Sequence, residues 1–223
     1  MQILAIASDY DGTIADDGVT AASTIAALAR FKASGRKLIM VTGRPLGELK
    51  EVFNGVAVFD VVVAENGGLL YYPHTDTVRL LAPAPSRPFV ARLRERGVDE
   101  LAVGQTIVAT HTGHHEIIRD TIDEMGLDLE IILNTDALMV LPPGTNKASG
   151  LKEALDELAL SAASVAAIGD AENDVVFFKL CGYAVAVANA LPEVKAIATM
   201  VTNGARGAGV EEFISSILDQ PGQ

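Results

Sequence analysis

The chain has 223 residues, 49% of them hydrophobic and 21% charged, which is ordinary for a globular protein and long enough for one large domain or a core with a smaller companion. Its formal net charge of −12 argues against a nucleic acid partner, because binding to a phosphate backbone needs clustered Lys and Arg. The single cysteine, Cys181, excludes an intrachain disulfide and reads as a small core residue in a reducing compartment; the start of the chain lacks the basic region of a signal peptide, and no run of about 18 uncharged apolar residues would span a membrane, so the expected location is the cytoplasm.

In chain order, Ile3 to Ala7 is a short apolar run that stops at Asp9 and reads as a buried strand. Thr20 to Ser34 reads as a helix, with Thr20 as its N-cap, Ile25, Leu28 and Phe31 on one face, and Gly35 as the stop. Lys37 to Thr42 is a second strand, ending in Thr42-Gly43-Arg44, and Pro45 opens the next helix. Asp60 to Ala64 is a third strand, ending at Glu65-Asn66-Gly67-Gly68. Strands alternating with helices predict an α/β fold with a doubly wound, Rossmann-like parallel sheet.

The rhythm changes after Gly68. Leu69 to Tyr72 and Thr77 to Leu81 read as a hairpin, Pro85 to Arg96 as a helix, Thr106 to Thr112 as a strand, His115 to Met125 as a helix, and Leu129 to Leu133 with Ala137 to Leu141 as a strand pair. This order predicts a small α+β domain over residues 69–145, inserted into a core made of 1–68 and 146–223. The alternation resumes with a helix from Ala148, a strand at Ser164 to Ile168, a helix from Asn173, a strand at Tyr183 to Val187 and two closing helices near Pro192 to Thr199 and Gly209 to Leu218. The final Gln220-Pro-Gly-Gln reads as a disordered tail.

In an open parallel sheet, ligands bind at the carboxyl ends of the strands. Strand order alone brings Asp9, Asp11, Thr42, Gly43, Arg44 and Asp170 to that edge, with Asp174 one turn on. Several carboxylates beside glycine-rich backbone suit Mg²⁺, which takes a few protein oxygens together with substrate phosphate oxygens. Asp9 would then be metal ligand and nucleophile, forming an aspartyl-phosphate, and Asp11 would move the proton to the leaving group and from the attacking water. Gly12 lets backbone N–H groups approach a phosphate, Thr42 and the Gly43 amide would bind a phosphoryl oxygen with Arg44 as a further phosphate contact, and Lys147 would neutralise the charge shared by phosphate and Asp9.

Asp9-Tyr10-Asp11-Gly12-Thr13, Thr42-Gly43-Arg44, Lys147 and Gly169-Asp170-Ala171-Glu172-Asn173-Asp174 resemble, in order, the four motifs of the haloacid dehalogenase superfamily of phosphatases. The insert resembles the type-2 cap of its Cof-like branch. Length and cap size are most similar to archaeal-type phosphoglycolate phosphatases and sucrose-phosphatase-like proteins. The resemblance implies Mg²⁺-dependent hydrolysis of a small phosphorylated metabolite. It also implies Asp9, Asp170 and the backbone carbonyl of Asp11 as metal ligands, and Asn173 and Asp174 as holders of metal-bound water or of the lysine. Tyr10 departs from the commoner aliphatic residue, and Thr42-Gly43-Arg44 departs from the Ser-Gly-Asn associated with the archaeal group.

Two further readings of the acidic centre stay open at this level: a phosphomutase with the same intermediate, and a phosphorylation-sensing domain. The latter fits poorly with an insert of this size and with a nucleophile after the first strand. Glu65 to Gly68 is either a plain loop or a hinge whose Asn66 lines the site. His111, His114 and His115 fit a polar strand end and helix start better than a zinc site, which would want a cleaner ligand set. Arg79, Arg87 and Arg119 read as surface charges, Glu172 as an exposed helix-start residue, and the assembly as monomer or homodimer.

Overall fold

The structure is a computed structural model that describes residues 2–219; the tail from Gln220 lies outside the described residues. The first strand, β1 (Ala5–Ser8), leads through the Asp9–Thr13 turn into a small hairpin of β2 (Ala15–Asp16) and β3 (Val19–Thr20) that sequence reading missed, each arm being only two residues long. Helix α1 (Ala22–Ala33) follows, then β4 (Lys37–Val41), α2 (Leu46–Val52), β5 (Val61–Ala64) and the hairpin of β6 (Leu69–Tyr72) and β7 (Thr77–Leu80). Thr20 is not the cap of α1: it sits in β3, and the N-cap position is Ala21, which makes no side-chain cap bond. Gly35, at φ +85°, does follow the helix end in the left-handed conformation that favours glycine.

A smaller unit comes next: α3 (Arg87–Glu95), β8 (Ala102–Val103), β9 (Val108–His111), α4 (His115–Met125), β10 (Glu130–Asn134) and β11 (Ala137–Leu141). The chain then returns through α5 (Lys147–Glu157), β12 (Val165–Gly169), α6 (Val175–Leu180), β13 (Tyr183–Ala186), α7 (Pro192–Ile197), β14 (Met200–Val201) and α8 (Arg206–Leu218).

The large sheet has the order β14-β13-β12-β1-β4-β5-β6-β7. Pairing is parallel from β14 to β5 and antiparallel at β6 and β7. The hairpin expected to open the insert therefore belongs to the edge of the core sheet, and the small sheet (order β10-β11-β9-β8) holds only later strands. Sheet membership thus moves the start of the insert past β7.

Alternation along each buried strand builds two apolar layers, because both faces of a parallel sheet are covered. Ile6, Leu38, Met40 and Val62 face Leu28 and Phe31 of α1, Leu49 of α2, and Val210 and Phe213 of α8. Ala7, Ile39, Val41 and Val63 face Leu151 and Leu155 of α5 and Phe177 of α6. The insert has its own core, where Phe89, Leu93, Ile118 and Ile122 pack on Val108, Leu138 and Val140. Its opposite sheet face, with Met139, turns towards the carboxyl ends of the core strands: a Cβ added to Gly43 would lie 3.0 Å from Met139 Sδ. The insert is a cap over that edge.

Candidate active site

β1 ends at the centre of the sheet, between β12 and β4. Asp9, the next residue, is buried; its amide donates to Ile168 O (2.9 Å), which fixes it beside the end of β12. Lys147 arrives from the opposite direction. Asn146 N-caps α5 in a capping box: its Oδ1 accepts from the amides of Ala148 and Ser149, and Ser149 Oγ accepts from the Asn146 amide. Lys147 is thereby placed in the first helical position with its side chain 1% exposed. Its ammonium donates to Asp9 Oδ1 and to Asp174 Oδ1, both at 2.6 Å.

Asp174 is committed on both oxygens, since Oδ2 accepts from the amides of Asp170 (2.8 Å) and Ala171 (3.0 Å). It closes the turn after β12 and braces the lysine. Asp170 Oδ1 accepts from Thr13 Oγ1 (2.7 Å), and its other oxygen abuts Gly12. Gly12 has φ +78°, and a Cβ there would sit 2.3 Å from Asp170 Oδ2, so only glycine allows the Asp9 turn and this carboxylate to meet. The Gly12 amide itself donates to Ala15 O (3.0 Å), so it is engaged in the turn rather than free for an anion.

Three carboxylates, those of Asp9, Asp170 and Asp174, place oxygens within 4.8 Å of one another around a single buried cation. Burial pushes the Asp9 carboxyl well above the usual carboxylate range; the Lys147 charge works against this, while Asp174 and Asp170 add to it. Burial likewise lifts Asp170 to about 6, opposed by the Thr13 hydroxyl and reinforced by Asp174. Burial alone would lower Lys147, but the charges of Asp174 and Asp9 prevail and hold it above the ordinary lysine range. The centre is short of positive charge. Asp9 and Asp170 keep oxygens outside these contacts, and a divalent cation with an oxygen preference fits what they offer.

Asp11 points to the cleft and is held bidentately by Arg44, with Nε–Oδ2 and Nη2–Oδ1 both 2.7 Å. Arg44, read from sequence as a phosphate contact, is thus found on the second aspartate, and its guanidinium lies over the Tyr10 ring at 5.8 Å. Tyr10 is fully buried, packs on Phe53 at 5.1 Å and donates its hydroxyl to Gly18 O (2.8 Å), which ties the β2–β3 hairpin to the core. Thr42 is buried, and its Oγ1 accepts from the Arg44 amide (3.1 Å), shaping the Thr42–Arg44 loop next to Asp9.

Asn173 Nδ2 donates to Asn66 Oδ1 (3.3 Å), which brings the Asn66 loop to the site edge. Asn173 Oδ1 and Asn66 Nδ2 are buried without a protein partner, as polar groups that await a bound ion, water or ligand would be. The cleft in front of this group has a volume of about 510 Å³, with Asp9, Asp11 and Arg44 on the core side and Thr110, His111 and Met139 on the cap side.

The cap histidines form a hydrogen-bonded cluster. Asp99 Oδ1 lies 2.7 Å from His114 Nε2 and 3.6 Å from His111 Nε2. The Gly113 amide donates to His111 Nδ1 (3.2 Å), which leaves the ring proton on Nε2, the nitrogen a metal would need. His115 instead meets Glu116. Sequence reasoning missed Glu65, a buried carboxylate that joins core to cap. Glu172 also reaches the cap, accepting from the Thr135 amide (3.1 Å).

A doubly wound core with an acidic, lysine-braced centre under a cap defines a hydrolase of the haloacid dehalogenase type, and the chain belongs to the haloacid dehalogenase-like hydrolase family, whose model matches residues 6–124 and 102–214. It is similar to a phosphoglycolate phosphatase of Methanothermobacter thermautotrophicus, 33% identical over 96% of this chain and 98% of that one. In structure it resembles a haloacid dehalogenase-like hydrolase from Bacteroides thetaiotaomicron, with TM-score 0.80, 20% identity and coverage of 97% and 100%. It also resembles the sucrose-phosphatase of Synechocystis sp. PCC6803, with TM-score 0.68, 18% identity and coverage of 97% and 98%. Among the described residues no helix is long and apolar enough to cross a membrane.

Proposed function

We propose that this phosphatase is a Mg²⁺-dependent phosphomonoesterase that hydrolyses a small phosphorylated metabolite through an aspartyl-phosphate on Asp9. The observation that carries this reading is Lys147 bridging Asp9 and Asp174 at 2.6 Å each, with Asp170 beside them. Lys147 fixes the Asp9 carboxylate by one oxygen, leaving the other to attack phosphorus while the bond to the leaving-group oxygen breaks. Asp11 gives a proton to that oxygen and takes one from the water that then cleaves the acyl-phosphate bond, releasing inorganic phosphate. Arg44 holds both Asp11 oxygens in the resting site, so one of them must leave the guanidinium for each proton transfer while the other contact keeps Asp11 oriented. Asp9 and Asp170 would hold Mg²⁺, which when bound supplies positive charge to the phosphoryl oxygens. Transfer to a second hydroxyl instead of water would make the same site a mutase.

The relative named phosphoglycolate phosphatase and the structural neighbour named sucrose-phosphatase nominate two substrate classes, phosphoglycolate and sugar phosphates. The test is release of nitrophenol and inorganic phosphate from p-nitrophenyl phosphate with Mg²⁺ and with EDTA, followed by a panel of phosphate esters. Metal-dependent release that Asp9→Asn abolishes is the expected result. Full activity in Asp9→Asn would remove the nucleophile assignment, and none in the wild type would remove the phosphatase.

A further inference from the structure

Glu65 sits one residue past β5, at the sheet edge that carries the site. It is 1% exposed, and the salt bridges among the described residues give it no cationic partner. A buried carboxylate without a cation is costly unless hydrogen bonds satisfy it. Glu65 meets that cost with neutral donors: Oε1 accepts from the amides of Gln105 (3.0 Å) and Leu46 (3.3 Å), and Oε2 from the amide (2.6 Å) and hydroxyl (2.8 Å) of Thr106. Leu46 opens α2, just beyond the Thr42–Arg44 loop. Gln105 and Thr106 belong to the cap, in the connection between β8 and β9.

The backbone of the same segment grips the loop. The Glu65 amide donates to Arg44 O (3.1 Å) and the Asn66 amide to Thr42 O (2.9 Å). This grip places Glu65 and Asn66 at φ +54° each, a left-handed conformation costly for two successive non-glycine residues. The cap approaches so closely that a Cβ on Gly104 would lie 2.6 Å from the Glu65 carboxylate. From Thr106 the cap chain runs directly into β9, whose last residues, Thr110 and His111, line the cleft. A second polar contact between core and cap, Glu172 to the Thr135 amide, is solvent-exposed and lies at a turn between β10 and β11.

We propose that Glu65 is a positioning residue: its carboxylate registers the cap on the Thr42–Arg44 loop, and so sets where the cleft wall of β9 stands relative to Asp9 and Asp11. The kinetic part rests on the phosphatase reading above; the latch itself does not. Glu65→Gln keeps the shape but turns an amide NH₂ towards donors, and Thr106→Val removes a donor from the cap side alone.

In the full chain with Mg²⁺ and p-nitrophenyl phosphate, each variant is expected to lower kcat/KM by roughly 10- to 100-fold, chiefly through KM, as misplacement of a site wall does. The double variant should lose no more than Glu65→Gln alone. Amide exchange at Gln105 and at position 106 should quicken at least about tenfold in both, a scale set by loss of local protection. A fall in Vmax alone, in step with the folded fraction and with KM unchanged, would make Glu65 merely structural and overturn the proposal. Exchange at the wild-type rate would overturn it as well. If Glu65→Gln does not fold, Thr106→Val carries both readouts. If the wild type turns over nothing, the phosphatase reading falls while amide exchange still decides the latch.

Discussion

Replacing Lys147 by Met tests the charge balance of the site most directly. The ammonium lies 2.6 Å from oxygens of both Asp9 and Asp174 and is 1% exposed. With an effective dielectric constant near 20, each contact is worth about 6 kcal/mol in gross attraction. Desolvation of the three ions offsets most of that sum. Removing one partner of a buried pair nevertheless costs about 3–5 kcal/mol, because uncompensated charge is left behind. Methionine fills nearly the same volume, so packing against Phe177, whose ring centroid lies 5.8 Å from Nζ, changes little. Without metal, urea unfolding at pH 7 should therefore show a loss of about 3–5 kcal/mol.

The loss should shrink as pH falls towards 5. Asp9 already has a raised carboxyl pKa, so the folded variant takes up protons before the unfolded chain does, and proton uptake by the folded state stabilises it. In Mg²⁺, kcat for p-nitrophenyl phosphate should fall at least about 10²- to 10³-fold, the usual consequence of losing a preorganised cation at developing negative charge. A variant within about 1 kcal/mol of wild type at pH 7, or one with wild-type kcat, would refute the assignment of Lys147 as the counter-charge to Asp9.

Other outcomes follow from the same geometry. In EDTA, wild-type stability should decline as pH rises from about 4 to 6, because Asp170 titrates near 6 when folded and near 3.8 when unfolded; Mg²⁺ should flatten that slope in thermal melts, and a slope of opposite sign would contradict the burial argument. Gly12→Ala must place a Cβ at φ +78° and 2.3 Å from Asp170 Oδ2, so it should cost about 2 kcal/mol or more and reduce the Mg²⁺-induced rise in Tm. Arg44→Gln breaks a half-exposed pair worth about 0–1 kcal/mol, so Tm should barely move, while kcat/KM should drop about tenfold once Asp11 is no longer oriented.

The residues of the site that were legible in sequence are those whose role is set within a few positions of chain. Asp9, Asp11 and Gly12 follow an apolar run directly, and Asp170 and Asp174 share one turn. Lys147 was legible by its order along the chain and by the family resemblance, although its fixed position comes from the Asn146–Ser149 capping box. What stayed hidden depends on which strands become neighbours. Arg44 meets Asp11 only because β4 lies beside β1, so nothing in Thr42-Gly43-Arg44 distinguishes a phosphate contact from a partner for the second aspartate. Glu65 looked like a loop residue because its donors in the cap lie 40 and 41 residues later. The β6–β7 hairpin reads alike whether it joins the cap or the core, since a hairpin fixes its own register and not its outer neighbour. The two-residue strands β2, β3, β8 and β14 were too short for any periodicity to register.

A net charge of −12 poses a difficulty for any enzyme that must bind a phosphate ester, and the site makes the difficulty local. Asp9, Asp170 and Asp174 surround one lysine, and Arg44, the arginine that lines the cleft, is already spent on Asp11. A phosphoryl group entering this cleft alone meets net negative charge. A divalent cation on Asp9 and Asp170 cancels that charge, so the two ligands should favour each other, and linkage requires the favour to be mutual. Inorganic phosphate should therefore inhibit more strongly as Mg²⁺ rises, and calorimetric Mg²⁺ affinity should tighten by about 5- to 150-fold in saturating phosphate, the usual range of such couplings. In Asp170→Asn, which removes one charge and weakens the cation site, the coupling should collapse while phosphate alone binds no worse. Phosphate binding that is indifferent to Mg²⁺ in the wild type would mean that the anion is held by the Gly43 amide and Lys147 instead, and that the acidic centre serves only the chemistry.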